Sequence, residues 1–146
     1  MSNIRMSQEE LRFISILEGL TGALAVDCIW DKTESRVIFV VHRNDTGKVI
    51  GRGGTTIRRL RDHFQKQIDI VEYSERLEVF ASNTIAPAKT ESVDIHEKSG
   101  KKTVVISVIP KEKGKAIGKN GRNIQRSRLL MKRHFGVNNV IIQSTP

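Results

Sequence analysis

The chain has 146 residues, of which 38% are hydrophobic and 28% charged, enough for one ordinary domain or two small ones and at odds with wholesale disorder. Its formal net charge is +9 and its pI about 10.1, a balance that favours a polyanionic partner such as nucleic acid or an acidic membrane surface. The excess is uneven, since residues 1–75 carry 11 Lys+Arg against 11 Asp+Glu and residues 76–146 carry 14 against 5.

The opening "MSNIRMSQEE" is polar and holds no apolar signal core, and no later run approaches the ~18–20 apolar residues of a spanning helix. No membrane partner is expected, and the location is read as cytoplasmic, or nuclear where the cell has a nucleus. Ser7 and Glu10 form a capping box that starts a helix, with Met6 and Leu11 as its staple. Leu11, Ile14, Ile16 and Leu17 give that helix an apolar face before Gly19 ends it. "ALAVDCIW" (Ala23–Trp30) and "RVIFVVHR" (Arg36–Arg43) read as strands joined by the turn "DKTES". Cys28, the only cysteine, excludes an intramolecular disulfide and reads as a small buried hydrophobe. "NDTGKVI" is a short helix leading to glycines. A longer helix runs from Thr55 to about Gln67 on Ile57, Leu60 and Phe64, and "IDIVEY" (Ile68–Tyr73) is a third strand.

The second half replays this order. A helix from about Glu75 stops before Pro87. Strands "KTESVDIHE" and "KKTVVISVIP" flank the turn "KSGK". "KEKGKAI" is a short helical turn, "RNIQRSRLLMKRHF" a longer helix and "NNVIIQ" a last strand. At an offset of 67 residues, Gly47-Lys48-Val49-Ile50-Gly51 falls on Gly114-Lys115-Ala116-Ile117-Gly118, Gly54 on Gly121, Ile57 on Ile124 and Arg61 on Arg128. The chain is therefore a duplicated α/β unit of roughly 70 residues, with the boundary expected near residue 74.

Each copy carries a loop of the form Ile-Gly-X-X-Gly-X-X-Ile between a short and a long helix. Glycine accepts positive φ and lets another backbone come close, and the helix that follows presents free N–H groups and the positive end of its dipole. Residues 47–66 hold six Lys+Arg against Asp62, and residues 114–133 hold seven with no acid. A sugar–phosphate chain fits this pattern better than a single nucleotide.

Nucleotide motifs fail. In neither loop does Gly-Lys-Ser/Thr close the motif as a P-loop needs, and Thr56 stands where a dinucleotide fingerprint starting at Gly51 needs glycine. His42, His63, His96 and His134 show no metal-ligand spacing, and His63 and His134 read as surface or packing residues, or as extra phosphate contacts. Paired carboxylates for acid–base work are not apparent. No catalytic residue, metal, cofactor or small-molecule substrate is expected, and the protein is not read as an enzyme.

The loops "IGRGGTTI" and "IGKNGRNI" resemble the signature of the K-homology (KH) RNA-binding domain, whose loop clamps about four single-stranded nucleotides. The element order is similar to the type II form of that domain. The tandem arrangement and the join "NTIAPAKTESVDI" resemble the NusA family of transcription termination and antitermination factors. Bacterial members add a polymerase-binding domain and an OB-fold domain for which 146 residues leave no room, so the likeness is to the short archaeal form. The resemblance implies two tandem type II KH domains, residues 1–74 and 75–146, each a three-stranded sheet packed with helices. It implies clamps at Gly51-Arg52-Gly53-Gly54 and Gly118-Lys119-Asn120-Gly121, with Lys48 and Lys115 beside them. Ile50, Ile57, Ile117 and Ile124 would help form apolar floors or core beneath the bases, and Arg58, Arg61, Arg122 and Arg126 would meet phosphates. The implied partners are single-stranded RNA in nascent transcripts and RNA polymerase. A role in ribosome assembly or ribosomal RNA processing is the alternative.

Overall fold

Ser7 opens the first helix as its spacing predicts. Its hydroxyl accepts the Glu10 N–H at 3.1 Å while the Glu10 carboxylate accepts the Ser7 N–H at 2.9 Å, closing the capping box of α1 (Gln8–Thr21). The computed structural model describes residues 4–146, which divide into two compact units, Ile4–Ser74 and Glu75–Pro146.

In the first unit α1 buries Phe13 and Leu17, one turn apart, whereas Leu11 is 49% exposed. The buried stripe is thus turned from the expected one. Gly19 stays inside the helix, and the chain leaves at Gly22, whose φ of 75° lets its N–H reach Glu18 O at 2.8 Å. β1 (Ala25–Asp31) pairs antiparallel with β2 (Arg36–Val41), with a bulge between Ala25 and Asp27. α2 (Thr46–Ile50), a tight turn at Arg52–Gly54 and α3 (Thr55–Phe64) then carry the chain over to β3 (Gln67–Glu72), parallel to β2. A parallel neighbour requires such a crossover, so the glycine loop lies inside the connection that builds the sheet. α3 stops at Gln65, in left-handed conformation at φ 54°, two residues short of expectation.

Phe13, Leu17, Cys28, Phe39, Leu60 and Phe64 form the middle of this unit's core. Phe13 meets Trp30 and Phe64 edge-on at 5.5 and 5.3 Å. The Lys32 and Lys66 ammonium groups lie 4.6 and 5.3 Å from the Trp30 ring. On the other face of β2 the fully buried Arg36 bonds Asp31 at 2.9 Å and Asp69 at 3.1 Å, a charge held between two neighbouring strands.

The second unit repeats the plan. α4 (Leu77–Thr84) precedes a hairpin of β4 (Ser92–Lys98) and β5 (Lys101–Val108), turned by Ser99 and Gly100 at φ 53° and 79°. α5 (Lys113–Ile117), a tight turn at Lys119–Gly121 and α6 (Arg122–Phe135) lead to β6 (Asn139–Ser144), parallel to β5. α6 packs on α4 and β6, and Phe80, Val104, Ile106, Leu130, Met131 and Val140 are all fully buried. His134 is edge-on to Phe80 at 5.3 Å, a packing role.

The offset of 67 holds for β1 and β4 (25 and 92), α2 and α5 (46 and 113) and the starts of α3 and α6 (55 and 122). It then slips to 72 at β3 and β6 (67 and 139), because α6 has 14 residues against 10 in α3 and the turn that follows it is one residue longer. Four residues are about one turn, so the extra length leaves the same face toward the sheet. The result is α/β, two three-stranded sheets each packed with helices. No helix among the described residues is long and apolar enough to cross a membrane.

Candidate nucleic-acid interface

Each short helix ends on a glycine that no other residue can replace. Gly51 has φ 74° and ψ 170°, and Gly118 has φ 81° and ψ 164°, a region open only to glycine. A Cβ on Gly51 would stand 2.8 Å from the Thr56 nitrogen, and one on Gly118 would stand 2.9 Å from the Asn123 nitrogen. The Gly54 and Gly121 N–H groups close back on Gly51 O and Gly118 O at 3.2 and 3.0 Å.

The next position is left-handed in both loops, Gly53 at φ 62° and Asn120 at φ 57°. Asparagine is among the few side chains that tolerate this conformation. Nothing lies within 4 Å of where a Cβ on Gly53 would be, so the tip of the first loop is bare backbone facing open space. Gly54 and Gly121, at φ 77° and 75°, then start α3 and α6 as N-caps that contribute no side-chain hydrogen bond. The first-turn N–H groups therefore lie next to an exposed, uncluttered loop, the arrangement that accepts phosphate oxygens.

The cations fall into two groups. Arg52, Arg58, Arg61 and Lys119 are exposed, and Arg58 Nη1 donates to Gly53 O at 3.0 Å, bracing the loop tip from the following helix. Lys48 and Lys115, with side chains 55% and 54% exposed, each pair with the acid three residues earlier, Asp45 at 3.2 Å and Glu112 at 3.5 Å. Arg122 is half-buried at the start of α6.

Arg126 departs from expectation. It is only 6% exposed, and its Nε and Nη2 donate to Thr84 O and Ala86 O at 2.8 and 2.9 Å. Its guanidinium holds the end of α4 instead of facing solvent, so it drops out of the surface set. Arg128 is likewise half-buried, donating to Val140 O at 3.2 Å. Among the apolar residues, Ile50 is 41% exposed beside Gly51 and Ile117 is half-buried, whereas Ile57 packs against the first core and Ile124 is half-buried on α6.

Sequence reasoning passed over Asp45 and Glu112, both buried beneath the loops. The Asp45 carboxylate accepts the Leu24 N–H at 2.8 Å, and that of Glu112 accepts the Lys89 N–H at 2.9 Å. Each ties the short helix before a glycine loop to the segment entering its unit's first strand. These backbone N–H bonds, and the lysine beside each, hold both carboxyls below the ordinary carboxylate range. The two acids are 67 residues apart, an acid-x-x-Lys-x-x-Gly pattern present in both copies that could have revealed them.

No group of three potential metal ligands occurs among the described residues. Each loop thus combines an exposed tip, a helix N-terminus and exposed cations, which can hold a phosphate chain.

The pattern of the KH domain matches residues 10–80, and that of the NusA-like second KH domain matches residues 77–144. The Probable transcription termination protein NusA of Methanococcus vannielii is 35% identical over 137 residues, covering 94% of this chain and 78% of its own. Its namesake in Halococcus morrhuae is 33% identical over 138 residues, covering 94% and 96%. The crystal structure of APE1850 matches with a TM-score of 0.84 at 43% identity, over 94% of this chain and all of that one. With two KH units in series and relatives aligned along nearly its whole length, the chain belongs to the NusA family.

Proposed function

We propose that the chain binds single-stranded RNA through its two glycine loops and acts, without catalysis, on nascent transcripts in transcription elongation, termination and antitermination. The observation that carries this reading is a loop built twice with one conformation, its tip exposed and ringed by cations. KH-family membership supports RNA as the ligand, and the name shared by its relatives supports transcription termination as the setting. The domain division follows at residues 1–74 and 75–146. The contact set is Lys48, Ile50, Gly51–Gly54, Arg58 and Arg61 in the first domain and Lys115, Ile117, Gly118–Gly121 and Arg122 in the second. RNA polymerase is the protein neighbour expected in that setting.

The test is RNA titration by fluorescence anisotropy with two variants matched in charge. Gly53→Asp/Asn120→Asp removes two charge units at the loop tips, where aspartate tolerates the left-handed backbone. Arg12→Gln/Lys32→Gln removes two from exposed positions elsewhere in the chain. The loop variant loses about tenfold or more in affinity, because a carboxylate then faces the phosphates, while the control changes only with bulk charge. Equal losses would refute the loop assignment. Crosslinking in a stalled elongation complex tests the transcript, and recovery of ribosomal precursor RNA instead would move the function to ribosome assembly.

A further inference from the structure

The outer face of the second sheet carries an open groove of about 620 Å³. Strand alternation places Val105 and Ile141 on this face, since their neighbours Val104, Ile106, Val140 and Ile142 are buried on the other. Val105 and Ile141 are paired in register and make an apolar floor, with Ile141 42% exposed. His96 and Thr103, also paired, continue the wall, and Lys98 and Lys101 close it at the hairpin turn. None of the groove's lining residues is acidic, and none belongs to the glycine loop or its flanking helices. Asp94 is the cross-strand partner of Val105 on this same face, although it is not among the residues that line the groove.

Lys98 and Lys101 stand directly opposite one another across the hairpin. Like charges in that relation destabilise a strand pair, and a bridging polyanion would offset the cost.

We infer that this groove is a second RNA site, in which Lys98 and Lys101 hold phosphates and the Val105–Ile141 floor takes a base from a transcript already held by the loops. The inference rests on the RNA-binding reading above. Positive charge at one end, an apolar floor and hydroxyl and imidazole donors along the wall match the composition of a nucleotide chain. Aliphatic side chains supply the floor because the second unit has no Trp or Tyr for stacking.

The experiment uses the full chain and labelled uridine homopolymers of about 8 and about 30 nucleotides, sized on a clamp of about four per loop. Lys98→Gln/Lys101→Gln relieves the cross-strand repulsion, so it does not cost folding. The slope of log affinity against log salt falls by about 1.4 for the long RNA, at about 0.7 per phosphate contact, and is unchanged for the short one. Ile141→Ser weakens the long RNA several-fold with no change of slope. An equal fall on both RNAs would mean diffuse electrostatics, and no fall on either an idle face; both overturn the site. If polyglutamate binds in a way that the lysine variant abolishes, while long RNA is indifferent, the groove belongs to an acidic protein and the RNA assignment is lost. Short-RNA binding that survives Gly53→Asp/Asn120→Asp would refute the loop reading instead, whatever the groove does.

Discussion

Replacing Gly51 with alanine should be far more damaging than replacing Gly53, although the two are neighbours in one loop. At Gly51 two penalties add. The backbone at φ 74°, ψ 170° is outside what a Cβ allows, and that Cβ would stand 2.7 Å from Thr56 Cβ and 2.8 Å from Thr56 N. Strain and overpacking are each worth about 1–3 kcal/mol, so Gly51→Ala should cost about 4 kcal/mol. At Gly53 only left-handed strain applies, about 1–2 kcal/mol, because the space is open. Trimming Thr56 to alanine should not rescue Gly51→Ala, since the obstructing Cβ and backbone nitrogen both remain. Urea unfolding followed by circular dichroism measures all three. Equal costs at the two glycines, or full rescue by Thr56→Ala, would refute the reasoning from backbone geometry.

Arg58→Gln should lower the salt slope for single-stranded RNA by about 0.7, whereas Arg126→Gln should leave the slope of the folded protein unchanged and cost about 3 kcal/mol of stability through lost bonds to Thr84 O and Ala86 O. Anisotropy at several salt concentrations and urea titration separate the two. Asp45 and Glu112 have carboxyls held below their ordinary values of 3.8 and 4.5, so their stabilisation is complete above those values and is lost as pH falls through the lowered ones. Asp45→Asn/Glu112→Gln should therefore be less stable than the parent near neutrality and lose less between about pH 6 and about pH 3, as urea midpoints would record. Arg36→Met should cost about 3–5 kcal/mol by stranding Asp31 and Asp69, and Arg36→Met/Asp31→Leu/Asp69→Leu should recover most of it in the same assay.

The elements visible in the sequence were those with strong local causes. The capping box at Ser7 and the β-branched run of β2 needed no tertiary information. The two glycine loops announced themselves by repetition. The first helix was harder, because Gly19 reads as a stop while Gly22, three residues on, has the conformation that ends it. Leu11 and Phe13 exchanged places between surface and core because the stripe depends on where the sheet lies against α1. Arg126 was beyond reach for a similar reason. An arginine on a basic helix reads as a surface charge until the Thr84 and Ala86 carbonyls at the end of α4 are seen beside it. Asp45 and Glu112 differ in side-chain length yet do one job, reaching backbone N–H groups 21 and 23 residues earlier, so identity matching concealed a correspondence that register would have exposed.

Trp30, wedged between Phe13 and two lysines, is the chain's one tryptophan, and the single tyrosine is Tyr73, so both absorbing side chains lie in the first unit. The second unit has only phenylalanine rings and is dark when excited near 295 nm, tryptophan's usual selective wavelength. Emission from Trp30 therefore reports on the first copy alone, whereas far-ultraviolet dichroism sums over both. Recording the two signals through one titration separates the melting of each half of a duplicated protein without a label, a truncation or a mutation.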